Sequence, residues 1–176
     1  MTAHFYLNSE SAWEAMLLDI ANARRTIDME RYIFTCDKIG KRFLDAFIRK
    51  AKEGVRVRLL VDMVGSISFY NSTLPQELAR VGIEVVFFNP IRLWRTGNFS
   101  ANFFRNHRKI LAIDGKIGYI GGVNIQDDMA HWRDTEARLE GPIVFQMEQI
   151  FSRMWRAGRW IRVLRFKRPE LFVKNF

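Results

Sequence analysis

Apolar residues recur along the chain in two rhythms. Over residues 10–24, Trp13, Met16, Leu17 and Ile20 fall at helical spacing, with Ser9 before them as a candidate N-cap. Residues 26–34, TIDMERYIF, have strand composition and partial alternation. Residues 40–53 bring Phe43, Leu44, Phe47, Ile48 and Ala51 onto one helical face, and Gly54 follows as a stop. VRVRLLVD, 55–62, alternates Val55, Val57, Leu59 and Val61 with Arg56 and Arg58, the period of a strand. Pro75 opens a short helix ending near Gly82, and the strand IEVVFF, 83–88, stops at Asn89-Pro90. Residues 91–106 are aromatic and basic with no clear period. Residues 108–114 and 117–121 read as two strands around Asp114-Gly115, a hairpin signal. DTEARLE, 134–140, predicts a strand, and Pro142 starts a helix through about Gly158. This order predicts an α/β fold, a mixed β-sheet covered by helices on both faces. It predicts one domain over 1–160, with 161–176 a linker or truncated end, and places His4 in a floppy, inert terminus.

Composition narrows the class. The chain has 176 residues, enough to bury a core without disulfide or metal staples. Its 48% hydrophobic and 27% charged residues exclude a disordered chain, a collagen-like repeat and a small disulfide scaffold. No run approaches the roughly 18 consecutive apolar residues of a bilayer span, and the first residues lack the pattern of a secretion signal. Cys36, the single cysteine, has no intramolecular partner and reads as a packing or surface residue. The net charge of +9 is local: residues 153–168 hold seven basic residues and no acid, leaving 21 basic against 19 acidic residues elsewhere. Phe151, Met154, Trp155, Trp160, Ile161, Leu164 and Phe166 are interleaved with them. Such a segment suits an anionic membrane surface or a nucleic acid, or else a solvated helix face.

The chemistry concentrates in His107-Arg108-Lys109 and Gly121-Gly122-Val123-Asn124. Residues i and i+2 of a strand share a side, so His107 and Lys109 project together. A cation beside an imidazole suits a phosphate ester: the ammonium holds a non-bridging oxygen while the imidazole attacks phosphorus or moves a proton. The returning strand ends in two glycines that admit close backbone approach, so Asn124 can bring an amide donor to the same spot.

His107-x-Lys109-x4-Asp114-x6-Gly121-Gly122-x-Asn124 resembles the HxKxxxxDxxxxxxGGxN signature of the phospholipase D superfamily at every specified position. RYIF (31–34), AKEGVRVRLLVD (51–62), Gly65-Ser66 and WRDTEARLEGP (132–142) are similar to the amino-terminal half of bacterial cardiolipin synthases. The resemblance implies a phospholipase D-like domain and a two-step displacement at phosphorus through a phosphohistidine, with no metal and no cofactor. It implies His107 as the nucleophile, with acid/base service as the alternative, and Lys109 and Asn124 as phosphate-binding groups. Gly121 and Gly122 are expected to bring backbone to the substrate. Asp114, facing away from His107 by strand parity, is expected to brace the hairpin turn. The family supplies a carboxylate to hold the far imidazole nitrogen, which Asp134 matches best, with Glu136 as the same-face alternative.

Other candidates carry less. Arg105 and Arg108 flank His107 and could recruit an acidic headgroup; parity turns Arg108 away and favours Arg105. Trp94, Phe99, Phe103 and Phe104 among Arg92, Arg95 and Arg105 suit a lid at a lipid–water boundary, or a loop packed on a neighbouring domain. His131 with Asp127 and Asp128 fits no compact metal site and reads as a solvated loop. Asp62, Glu30 and Tyr32 could serve a site or the local fold.

The resemblance also implies a site built from two such motifs, and one is present here. The partner is then a carboxy-terminal half of a longer chain or a second identical subunit. The leading expectation is a phosphatidyl transferase or phosphodiesterase acting on phospholipid headgroups, cytoplasmic and peripheral on an anionic membrane. The alternatives are a homodimeric nuclease acting on nucleic acid and a non-catalytic partner or membrane-anchoring half.

Overall fold

The structure is a computed structural model and describes residues 1–89 and 105–163, with side chains as far as Arg159. Seven strands build it: β1 (Thr2–Tyr6), β2 (Thr26–Arg31), β3 (Arg56–Asp62), β4 (Glu84–Phe88), β5 (Ile110–Ile113), β6 (Ile117–Gly121) and β7 (Glu136–Glu140). They form one mixed sheet in the order β1-β7-β6-β5-β2-β3-β4. β2, β3 and β4 run parallel, and β5, β6, β7 and β1 continue antiparallel. The helices are α1 (Ser9–Ala21), α2 (Lys38–Lys52), α3 (Ile67–Tyr70), α4 (Leu74–Arg80) and α5 (Ile143–Val163). Trp13, Met16 and Ile20 of α1, Phe43 and Phe47 of α2, Phe69 of α3 and Leu78 of α4 share one core with Ile27, Met29, Leu59, Leu111 and Tyr119 of the sheet. Each large apolar side chain so buried contributes about 1.5–3 kcal/mol. On the opposite face Phe151 and Trp155 of α5 pack on Leu60 and Val86. The expected α/β sandwich, covered on both sides, is the fold observed.

Four local expectations need correction. The N-cap of α1 is Asn8, whose Oδ1 accepts the Ser11 N–H at 2.9 Å, while Ser9 is buried inside the helix. His4 sits in β1, which pairs with β7 through all five residues, so the terminus is an edge strand. Gly158 does not stop α5: a Cβ there would lie 2.7 Å from Val86 Cγ1, so its bareness lets the helix settle onto the sheet. The α5 backbone therefore runs on to Val163, into the segment expected to be a linker. Phe151 and Trp155, which looked like part of a surface motif, are core residues stacked on each other with the Arg58 guanidinium over both rings. Residues 90–104, holding most of the expected lid, and 164–176 lie outside the described residues.

Asp114 lies at the end of β5 remote from His107. It and Gly115 take φ of 55° and 67°, the positive values a tight hairpin turn demands. Its carboxylate accepts the N–H groups of Arg24, Arg25 and Thr26 at 2.7–2.8 Å, tying the start of β2 to the turn. Burial pushes its pKa up, but the three backbone donors outweigh burial and hold it below the ordinary aspartate value. Asp114→Ala is expected to cost about 2 kcal/mol, because three donors lose a charged acceptor. Urea denaturation at pH 7 checks this; a change below about 0.5 kcal/mol would deny the brace.

Candidate active site

The antiparallel return of β5–β7 gathers one end of the sheet. The carboxyl ends of β2 and β3, the start of β5, the end of β6 and the start of β7 meet there. This is the edge at which parallel α/β sheets present ligand-binding groups. Residues 105–109 approach it as irregular chain, before the ladder begins at Ile110.

His107 is exposed and Lys109 is buried at its flank. Lys109 Nζ lies 3.3 Å from His107 Nδ1 and donates to the His107 carbonyl at 2.9 Å. The two groups therefore share one side, as strand parity requires. Tyr32, just past β2, packs its ring against the imidazole with centroids 4.7 Å apart, and Lys109 Nζ stands 5.5 Å above the same ring. Burial lowers the Lys109 pKa, and the nearby Arg31 guanidinium lowers it further.

Asn124 is oriented by its surroundings. Its Oδ1 accepts the Ile33 N–H at 3.1 Å, and its carbonyl accepts the Trp13 indole N–H at 2.8 Å. With the oxygen occupied, the amide NH2 is the end that can donate to an anion. Gly121 and Gly122 also admit a close approach within the fold. A Cβ at Gly122 would lie 1.9 Å from Asp134 Oδ1, and one at Gly121 would lie 2.2 Å from the Thr135 carbonyl oxygen. The space they leave is filled by residues 134–136, at and just before the start of β7.

Neither expected carboxylate bonds to His107 among the described residues. Asp134 Oδ1 accepts the Thr135 N–H, and its charge acts on Lys109. Glu136 is fully buried; it pairs with Arg31 at 3.2 Å and accepts the Val123 N–H. Burial raises its pKa to about 7, against the pull of Arg31 and the Val123 N–H. Arg31 was missed as a candidate. It is wholly buried, donating also to the Glu30 carbonyl and touching Met16 Sδ. Three charged residues, Asp28, Glu30 and Arg31, within one short strand were the available signal.

Arg105, expected to meet a headgroup, is partly buried and paired within the protein. It pairs with Asp62 at 3.2 Å and donates to the Asn89 carbonyl at 2.8 Å, because the irregular chain there does not follow strand parity. Arg108 does face away from His107, onto Glu30. His131 is exposed in the loop after a 3₁₀ turn at Asp127–Met129, and Asp127 accepts the Lys38 and Ile39 N–H groups at the start of α2. Cys36 is partly buried, with Ser72 Oγ 3.8 Å from its sulfur.

One end of the mixed sheet thus carries an imidazole, an ammonium and an oriented amide. Residues 16–155 match the family described as cardiolipin synthase, PLD-like domain, and the chain belongs to that family. It is 37% identical over 173 residues to the cardiolipin synthase of Geobacillus sp. (strain WCH70), covering 93% of this chain and 34% of that protein. The chain thus spans about a third of the length of the curated relatives it matches. Among solved structures it resembles NucT from Helicobacter pylori, with a TM-score of 0.68 at 14% identity over 88% of this chain and 96% of that one. It also resembles phosphatidylserine synthase from Haemophilus influenzae Rd KW20, with a TM-score of 0.67 at 16% identity over 85% of this chain and 36% of that one. At these identities the likeness speaks to the fold alone.

Proposed function

We propose that this domain carries one half of a phosphatidyl transferase or phosphodiesterase site acting on phospholipid headgroups. The observation that carries the reading is the Lys109 ammonium 3.3 Å from the exposed His107 imidazole, on one side of the chain. His107 attacks phosphorus, forming a P–N bond as the P–O bond to the leaving alcohol breaks. A histidine from a second motif, in another half or subunit, protonates that alcohol. The incoming alcohol or water then gives its proton to that second histidine and displaces His107. Lys109 and Asn124 hold the non-bridging oxygens, and Asp134, beside Lys109, is the carboxylate for the imidazole's far nitrogen, ahead of Glu136. The basic residues of 153–168 support a peripheral position on an anionic membrane. Identity to cardiolipin synthases favours lipid over nucleic acid, while the basic residues of 153–168, which suit either phosphate-bearing substrate, keep a homodimeric nuclease as the second reading.

The test incubates the chain, alone and joined to a second HxK domain, with phosphatidylglycerol vesicles and with labelled single-stranded DNA. Joined protein is expected to release glycerol from the vesicles and leave the DNA intact, with little turnover by the chain alone. Cleavage of DNA without lipid turnover would transfer the assignment to the nuclease. Silence on both would leave a non-catalytic half.

A further inference from the structure

His107 stands on chain that no strand ladder holds, yet both its neighbours are fixed from the opposite side of the sheet. Asn106 is buried, and its backbone N–H donates to Asp62 Oδ2 at 3.1 Å. Its side-chain NH2 donates to Glu30 Oε1 at 2.5 Å, and its Oδ1 accepts the Arg108 N–H at 3.3 Å. Arg108 Nε reaches the same Glu30 Oε1 at 3.1 Å. One carboxylate oxygen thus holds the residue before His107 and the residue after it.

The carboxylates are themselves anchored. Glu30 and Asp62 are fully buried. Glu30 is paired in the ladder with Ile110, and Asp62 with Phe88. Asp62 Oδ1 also accepts the Val64 and Gly65 N–H groups and the Arg105 guanidinium. Glu30 Oε2 is buried with no hydrogen-bond partner among the described residues. Here every bond that Glu30 Oε1 accepts comes from a residue adjacent to His107.

We infer that Glu30 and Asp62 are positioning residues for His107, acting through Asn106 and Arg108 to set where the imidazole stands against Tyr32 and Lys109. Glu30 touches neither His107 nor Lys109; its effect is carried by the chain. Glu30 holds both flanks of His107, and Asp62 holds the backbone before it. The pair substitutes for the missing ladder over 105–109. A shift of about 1 Å in a reacting group can cost about 100-fold in rate.

The consequence for turnover rests on the proposed function, so the test has a readout independent of it. The chain has three histidines, which makes their ring signals separable by NMR. His107 contacts Tyr32 and His4 contacts Tyr6, each with ring centroids 4.7 Å apart, so the second pair is an internal control at the far edge of the sheet. In Glu30→Ala and in Asn106→Ala the His107–Tyr32 cross-peak is expected to vanish while His4–Tyr6 persists. Glu30→Gln keeps one acceptor oxygen for both donors and is expected to restore the cross-peak. In protein joined to a second HxK domain, kcat is expected to fall about 100-fold in Glu30→Ala with KM changed less than two-fold, and to recover in Glu30→Gln. An unchanged His107–Tyr32 cross-peak in folded Asn106→Ala and Glu30→Ala would overturn the inference whatever the rates. A lost cross-peak in protein that turns over no diester would uphold it and count against the functional reading instead.

Discussion

Arg31→Met is expected to destabilise the domain by about 3–5 kcal/mol at pH 8, the range found when one partner of a buried ion pair is removed. Arg31 and Glu136 are both fully buried and 3.2 Å apart. Removing the guanidinium leaves a carboxylate whose remaining hydrogen bond, among the described residues, is the one it accepts from the Val123 N–H. The cost depends on pH in a defined direction. The Glu136 pKa in the fold, about 7, lies above the ordinary glutamate value, so between about pH 4.5 and 7 the native state holds the extra proton. This contribution to stability is greatest below that window and is lost as pH rises through it. Arg31→Met pushes the Glu136 pKa higher still, so the mutant's deficit is expected to be small at pH 5 and to open towards pH 8. Arg31→Met combined with Glu136→Leu should recover most of the loss, since neither charge is then left alone. Urea denaturation at pH 5 and pH 8 of wild type, Arg31→Met and the double mutant decides it. A single-mutant deficit under 1 kcal/mol at pH 8 would mean that water or another cation replaces Arg31.

Most of the frame was legible because apolar periodicity reports burial. The alternation over 55–62 survives as β3, and the helical stripe of Phe43, Leu44 and Phe47 survives as the buried face of α2. The failures have local causes. β1 is an edge strand with one neighbour and mostly exposed side chains, so no burial pattern announces it. β2 ends at Arg31, short of Phe34, because the Ile33 and Phe34 N–H groups turn to Asn124 Oδ1 and Ser66 Oγ rather than to a strand. Gly158 carries the residue type of a terminator, but its place against Val86 comes from tertiary packing, which a local pattern does not contain.

The site was legible to the depth of one spacing rule. Parity placed His107 beside Lys109 and Arg108 behind them, although the ladder begins only at Ile110. The same rule misplaced Arg105, two residues further from the ladder, where a charge on β3 decides its direction. The pairs beneath the site, Arg31 with Glu136 and Asn106 with Glu30, join residues 105 and 76 positions apart in the chain, and no local motif encodes them. What the sequence could show was the oddity of charged residues at 28, 30 and 31 within a strand that is otherwise apolar.

His107→Ala is expected to lower turnover of phosphatidylglycerol by about 10,000-fold or more in protein joined to a second HxK domain, the scale on which a covalent mechanism fails without its nucleophile. The side chain is exposed, so its removal should leave the unfolding free energy within about 0.5 kcal/mol of wild type, separating chemistry from folding. Rapid acid quench of wild type should trap an acid-labile phosphoryl adduct that His107→Ala lacks. If the adduct persists in that mutant, the nucleophile lies on the other motif and His107 serves as acid and base. Lys109→Ala removes a clamp that strengthens as charge gathers on the phosphoryl oxygens, and is expected to cost about 100- to 1,000-fold in kcat. Burial and Arg31 both depress the Lys109 pKa, so wild-type turnover should begin to fall with rising pH below the usual lysine value of about 10.4. Lys109→Arg keeps its charge throughout that range and should abolish that alkaline decline, at a reduced rate set by the different shape of its donors. A decline that persists unchanged in Lys109→Arg would assign it to another group.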